Sequence, residues 1–198
     1  MTLKERLAKQ IDFIVEIDKL KHILRRTYIM DGSRNENDVE HSWHLAMMVL
    51  LFQEYANESS IDILRVLKMV LIHDIVEIDA GDTFCYDEAG QKSRLKREQE
   101  AANRLFNILP EDQAQEFRSL WDEFEARESA EGKFAAALDR LQPLMHNYYT
   151  KGFAWKKHGV RSDMVIARNK HIEEGSETLW QYAENLIKES VKKEYLAP

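Results

Sequence analysis

The chain has 198 residues, 44% of them apolar and 32% charged, which is the composition of an ordinary globular protein rather than a disordered or membrane-embedded one. Its formal net charge of −7 argues against a nucleic-acid binder that relies on a broad basic surface. It leaves room for a small phosphate ester, because a bound metal supplies positive charge locally.

The only cysteine, Cys85, allows neither an internal disulfide nor a thiolate metal cage, which suits a reducing cytoplasm. The N-terminus is charged from Lys4 onward and has no apolar signal-peptide core, and no apolar run approaches a membrane span. A cytoplasmic protein without membrane or nucleic-acid partners is expected.

Taken in chain order, residues 3–24 place Leu3, Leu7, Ile11, Ile14 and Leu20 at helical spacing. Residues 25–37 carry turn chemistry and read as a loop. Asn37 or Asp38 then caps a helix reaching about Asn57, with Asp38 and Glu40 at its positive end. Ser60 is expected to cap the next helix, which ends near Ile78. Ala80-Gly81-Asp82-Thr83 breaks the pattern, and a polar loop extends to about Gly90. Further helices are predicted over 93–108, 111–128, 131–150 and 175–194, with Pro143 bending or interrupting the third of these. The stretch 152–173 reads less clearly, with a helix over Ser162–Ile172. With no repeat or linker in view, one all-α domain over 1–198 is the economical expectation.

Three of these helices hold an unexpected polar group. His73-Asp74 lies in the apolar run Val66-Leu67 through Ile75-Val76. A buried unpaired carboxylate costs several kcal/mol or takes up a proton. Asp74 therefore needs a partner, either a hydrogen-bonded core histidine or a divalent metal. His41 opens a second apolar helix, and Asp139 sits alone in Phe134-Ala-Ala-Ala-Leu-Asp139-Arg-Leu. Helical bundles build metal sites from such groups on facing helices.

The order His41, His73-Asp74, Asp139 resembles the HD superfamily of metal-dependent phosphohydrolases, and most closely its compact branch of 5′-deoxynucleotidases. The resemblance implies a compact helical bundle in which one divalent ion (Mn, Co, Zn, Fe, Ni or Mg) is held by His41, His73, Asp74 and Asp139. It implies catalytic roles for Glu77 and Asp82, which match the family's HDxxE…GD stretch. Arg25 or Arg26 is implied as the phosphate grip, with Tyr28 standing where the family carries tryptophan. Thr83 and Phe84 would wall the sugar side. HD proteins with two metals supply extra histidines between the HD pair and the last aspartate, and none occurs between Asp74 and Asp139 here, so one metal is expected.

The implied substrate is a small phosphate ester, a (deoxy)nucleoside monophosphate, and by the same analogy the protein is a homodimer. Three other readings stay open: a dNTP triphosphohydrolase or phosphodiesterase, a non-catalytic nucleotide-binding protein, and a helical scaffold with satisfied His–Asp pairs. A triphosphate would call for several Lys/Arg converging on the pocket. Lys92, Arg94, Lys96 and Arg97 read first as a solvated helix face. His44 and His146 read as ordinary or packing residues, and Asp79 as a helix-end residue.

Overall fold

The computed structural model describes residues 1–83 and 88–198, with side chains for all of these except 88, 89 and 91. Helix α1 (Leu3–Ile17) starts from a capping box in which Thr2 and Glu5 satisfy each other's backbone N–H, and a 3-10 turn (Asp18–His22) continues it. The segment expected as a loop holds two short antiparallel strands, β1 (Leu24–Tyr28) and β2 (Asn35–Asn37). Leu24 pairs with Asn37 and Tyr28 with Asn35, with an irregularity between. These strands escaped notice because they are short and because their inward positions are charged. Glu36 is 2% exposed, the reverse of the usual apolar-in pattern.

Asn37 caps α2 (Asp38–Phe52) in a second capping box with Glu40. A 3-10 turn, Gln53–Tyr55, ends it. Asp62, not Ser60, caps α3 (Ile63–Ile72), its carboxylate accepting from the Arg65 N–H at 3.0 Å. Asp62 directly precedes the first apolar position, where a short acceptor reaches the free N–H groups. The expected single helix to Ile78 is broken into three. α3 ends at Ile72, His73–Val76 form a 3-10 turn, and α4 covers Glu77–Ala80. In the tighter turn residues three apart eclipse one another, which stacks Asp74 over Glu77. Gly81 then closes α4 at φ 72° and ψ 150°, a backbone region open to glycine alone.

Helices α5 (Glu88–Phe106), α6 (Glu111–Ala126) and α7 (Ala130–Tyr149) follow. Pro143 does not interrupt α7. It lacks an N–H, so the carbonyl it leaves without its usual donor belongs to Asp139, one turn earlier. The chain ends in α8 (Phe153–His158), α9 (Ser162–Asn169), α10 (Ile172–Gly175) and α11 (Glu177–Lys192). No helix among the described residues is long and apolar enough to cross a membrane.

Helix α7 is the central element, packed against α2, α3, α6, α10 and α11. Its small Ala135 and Ala137 let neighbours approach, while Phe134, Leu138 and Leu141 fill the gaps, all five at 0–1% exposure. The closest approach is at Gly175, whose missing side chain would overlap the Lys133 carbonyl and press on the Phe134 backbone. Gly175→Ala is therefore expected to cost roughly 1–3 kcal/mol through overpacking, read as a lower urea midpoint with an unchanged slope.

Candidate metal centre

His41 lies in the first turn of α2, His73 and Asp74 in the 3-10 turn, and Asp139 midway along α7. All four are at most 8% exposed. The His41 Nε2 atom is 3.0 Å from Asp139 Oδ1 and 3.8 Å from Asp74 Oδ2. The His73 Nε2 atom is 3.1 Å from Asp74 Oδ1 and 3.7 Å from Asp139 Oδ1.

The far side of each ring decides what these atoms offer. His73 Nδ1 lies 3.0 Å from the Val70 carbonyl, an acceptor only, so Nδ1 carries the hydrogen. His41 Nδ1 lies 3.1 Å from Gln142 Oε1. The Gln142 orientation is set behind it: Nε2 donates to Glu36 Oε1 at 2.6 Å and to His146 Nε2 at 3.0 Å. His146 in turn donates from Nδ1 to the Tyr28 carbonyl at 2.9 Å. In the neutral rings both Nε2 lone pairs thus face carboxylates, and His73 Nε2 has no well-aligned hydrogen-bond partner.

Lone pairs and carboxylates at this range repel unless a positive charge lies among them. Burial lowers both histidines. For His41, Arg25 adds to that and takes it to about 4. For His73, Asp74 and Asp139 outweigh burial and hold it at about 10. The demand that a proton meets on His73, a divalent cation would meet for all four groups together. Their separations are close to the roughly 3–3.5 Å edges expected for ligands about 2.0–2.2 Å from one ion. The donor set fits a metal, and His41, His73 and Asp74 also stand out as a potential cation group on distance alone.

A second potential group, Asp38, Asp74 and Glu77, stands beside the first. The Arg25 guanidinium enters it from β1, with Nη1 2.7 Å from Asp74 Oδ2 and 3.2 Å from Asp38 Oδ1. Burial, then the charges of Asp74 and Asp38, push Glu77 well above the ordinary carboxyl range. Burial and Asp74 bring Asp38 to about 7, while a hydrogen bond from Glu77 acts against this. Glu77 Oε2, next to the donor set, is buried and without a hydrogen-bond partner. Burial also raises Asp82, whose carboxylate accepts the Arg26 backbone N–H.

Arg25, His73, Asp74, Glu77, Asp82 and Asp139 line one cavity together with Thr83, Arg26 and three arginines not expected there from the sequence, Arg94, Arg140 and Arg168, while His41 and Asp38 are fully buried and not on its wall. Arg94 reaches Glu98 at 2.7 Å and Glu125 at 3.0 Å, and Arg140 holds Asp139 Oδ2 at 3.0 Å. Thr83 accepts from Arg97 at 2.8 Å. Tyr28 is not brought to the cavity. Its ring packs on Phe153 at 4.7 Å and its hydroxyl meets Lys157 at 3.3 Å. Phe84 lies outside the described residues. Asp79 pairs with Arg104 on the surface.

The model of the HD domain family matches residues 17–180, more than four fifths of the chain. The chain belongs to the HD domain family. Among relatives of this HD domain, the 5′-deoxynucleotidase HDDC2 of Bos taurus is 29% identical over 73% of this chain and 69% of its own length. The protein of the same name in Homo sapiens is 27% identical over 68% and 65%. The chain thus spans about two thirds of each. A crystal structure of a predicted metal-dependent phosphohydrolase from Magnetospirillum magnetotacticum MS-1 superimposes with a TM-score of 0.94. It is 57% identical, covering 98% of this chain and 96% of that one.

Glu36, Asp38 and Gln142 of this HD domain went unread as site residues. Asp38 was assigned only to the helix terminus, and Glu36 lies in a strand that was not foreseen. Glu36 is raised to about 7, first by burial, while Arg25 and Gln142 pull the other way. The folded protein keeps a proton that the unfolded chain releases near the usual glutamate value. Stability from this group is therefore full below about pH 4.5 and lost as pH rises through 7. Buried His41, His146 and His171 act oppositely over part of that window. Glu36→Gln is therefore compared with the parent. In metal-stripped protein it should gain about 3 kcal/mol relative to the parent between pH 4.5 and 8, by urea titration. A pH-independent difference would reject this.

Proposed function

We propose that this protein is a metal-dependent phosphohydrolase that removes the 5′-phosphate from deoxynucleoside monophosphates. The observation that carries the reading is the convergence of two imidazole Nε2 atoms and two carboxylates at 3.0–3.8 Å, beside a buried arginine and a glutamate held well above the ordinary carboxyl range. The names of the HDDC2 relatives supply the ester class.

His41, His73, Asp74 and Asp139 would hold one divalent ion. When bound, that ion would lower the pKa of a water and neutralise charge on the phosphoryl group. The remaining steps belong to the chain. Arg25, a fork already desolvated and held by Asp38, turns from Asp74 to the phosphate oxygens. Glu77 holds or moves a proton at its unpartnered Oε2. Asp82 and Thr83 face the sugar. Glu77→Gln is expected to lower kcat by about 10²-fold or more while metal affinity stays within a few-fold, by phosphate release and chelator competition. Unchanged turnover with metal bound would remove that role.

The test of function is phosphate release by metal-stripped protein resupplied with Mn, Co, Zn, Fe, Ni or Mg, against mono-, tri- and cyclic nucleotides. Five arginines on the cavity wall favour a second reading, a dNTP triphosphohydrolase. Against it, Arg25, Arg94 and Arg140 are each matched by carboxylates. Release of tripolyphosphate rather than orthophosphate would select it.

The cytoplasmic location, one functional unit over 1–198 and the homodimer are part of the proposal. Exposed Leu7, Ile11 and Ile14 on α1 and Trp43, Leu50 and Leu51 on α2 support a self-contact, tested by light scattering.

A further inference from the structure

A second crevice adjoins the polar cavity and shares Arg26, Thr27, Arg140, Pro143 and Arg168 with it. Its walls differ in kind. Leu144 of α7, Ala154 and Trp155 of α8, and Val160 after α8 make them largely apolar, all four at 3–7% exposure. Two polar atoms on this lining lack partners. Asn147 is 8% exposed; its Nδ2 donates to the Pro143 carbonyl at 2.9 Å, and its Oδ1 is buried without a hydrogen bond. Thr27 Oγ1, on the β1 side, is buried and unpartnered too. A buried acceptor left unpaired is costly, and native proteins rarely keep one without use.

We infer that this crevice is the subsite for the organic half of the ester, a nucleobase whose N–H edge donates to Asn147 Oδ1 while its faces lie against Trp155, Leu144 and Val160. The assignment rests on the phosphomonoesterase reading, since it continues that cavity. The polar cavity also carries Val76, Phe124 and Pro143, but sets them among carboxylates and guanidiniums whose hydration a heterocycle would displace. The crevice offers apolar walls and an acceptor. Thr27 and Arg26 are neighbours on β1, so the base and phosphate ends are positioned by one strand.

The experiment compares dCMP or dAMP with 2-deoxyribose 5-phosphate, which has no base, on the manganese-loaded full chain. The parent is expected to favour the nucleotides by at least about 10-fold in kcat/KM, mostly through KM. Ala154→Leu, which fills the crevice, should shrink that ratio by about 10-fold, and Asn147→Leu by about 3- to 10-fold. The second variant serves if the first does not fold, judged by circular dichroism. A parent ratio near one, or variants that leave it unchanged, would overturn the subsite. If the loaded parent hydrolyses none of the three esters, the phosphatase reading fails. Calorimetric titration with dCMP then decides the subsite alone: binding weakened by either variant supports it, and binding indifferent to both, or absent, rejects it.

Discussion

Asp74→Ala is expected to abolish metal-stimulated phosphate release, by on the order of 10³-fold or more. It removes one of four donors and with it the several kcal/mol that a bound cation contributes to the transition state. A second signature separates this from general damage. Asp74 crowds Asp38 and Glu77 as well as attracting Arg25 and His73. Attraction wins: against its burial, His73 and then Arg25 hold Asp74 well below the ordinary carboxyl range. The melting temperature without metal should therefore fall near pH 7, and the further rise on adding Mn²⁺ or Zn²⁺ should vanish. A folded Asp74→Ala protein that still gains stability from metal and turns over at the parental rate would contradict the donor set proposed above.

Arg25→Met should cost more in stability than any surface substitution, roughly 3–5 kcal/mol in metal-free protein near pH 8. The guanidinium is buried, and burial by itself would lower its pKa. Asp74, Glu77 and Asp38 reverse this and raise it well above the ordinary value. Without it, Glu36 and Asp38 lose the guanidinium that draws them down, and Asp74 is left with His73 as its chief counter-charge. The loss should shrink toward pH 5.5, because Glu36 and Asp38, at about 7 even with Arg25 present, are then protonated and tolerate burial better. Urea titrations at the two pH values read the difference directly. Equal losses at both would mean that Arg25 acts through packing alone. With metal bound, KM for the phosphate ester should also rise.

Several structural features were legible before any coordinates. The 3.6-residue periodicity and sparse Gly and Pro announce the helices, and Asn37 or Asp38 reads as a cap because a short polar side chain before an apolar run accepts from the first free N–H groups. The capping box confirms it. The strands were not legible. Their turn residues and inward charges imitate a loop, and only the depth of Glu36 under α2 and α7 makes that charge buried. The long helix expected through His73 ends early in a 3-10 turn, a distinction that hydrophobic spacing does not resolve over four residues.

The chain by itself determined that there would be helices carrying His41, His73-Asp74 and Asp139, because a lone polar group in an apolar run announces itself wherever the run folds. It also determined the break at Ala80-Gly81-Asp82-Thr83, which the structure realises with Gly81 at φ 72° and ψ 150°. Only the tertiary structure decided which atoms of those residues meet. The tautomers of both histidines are set by partners 3 residues away in one case and 101 in the other, Val70 and Gln142. The charge state of Glu77 depends on Asp38, brought from the start of α2, and the entry of Arg25 depends on a strand the sequence conceals. Periodicity records which face a residue occupies. Protonation, lone-pair direction and electrostatic pairing depend on distances of a few ångströms between segments far apart in the chain, and those exist only once the chain has packed.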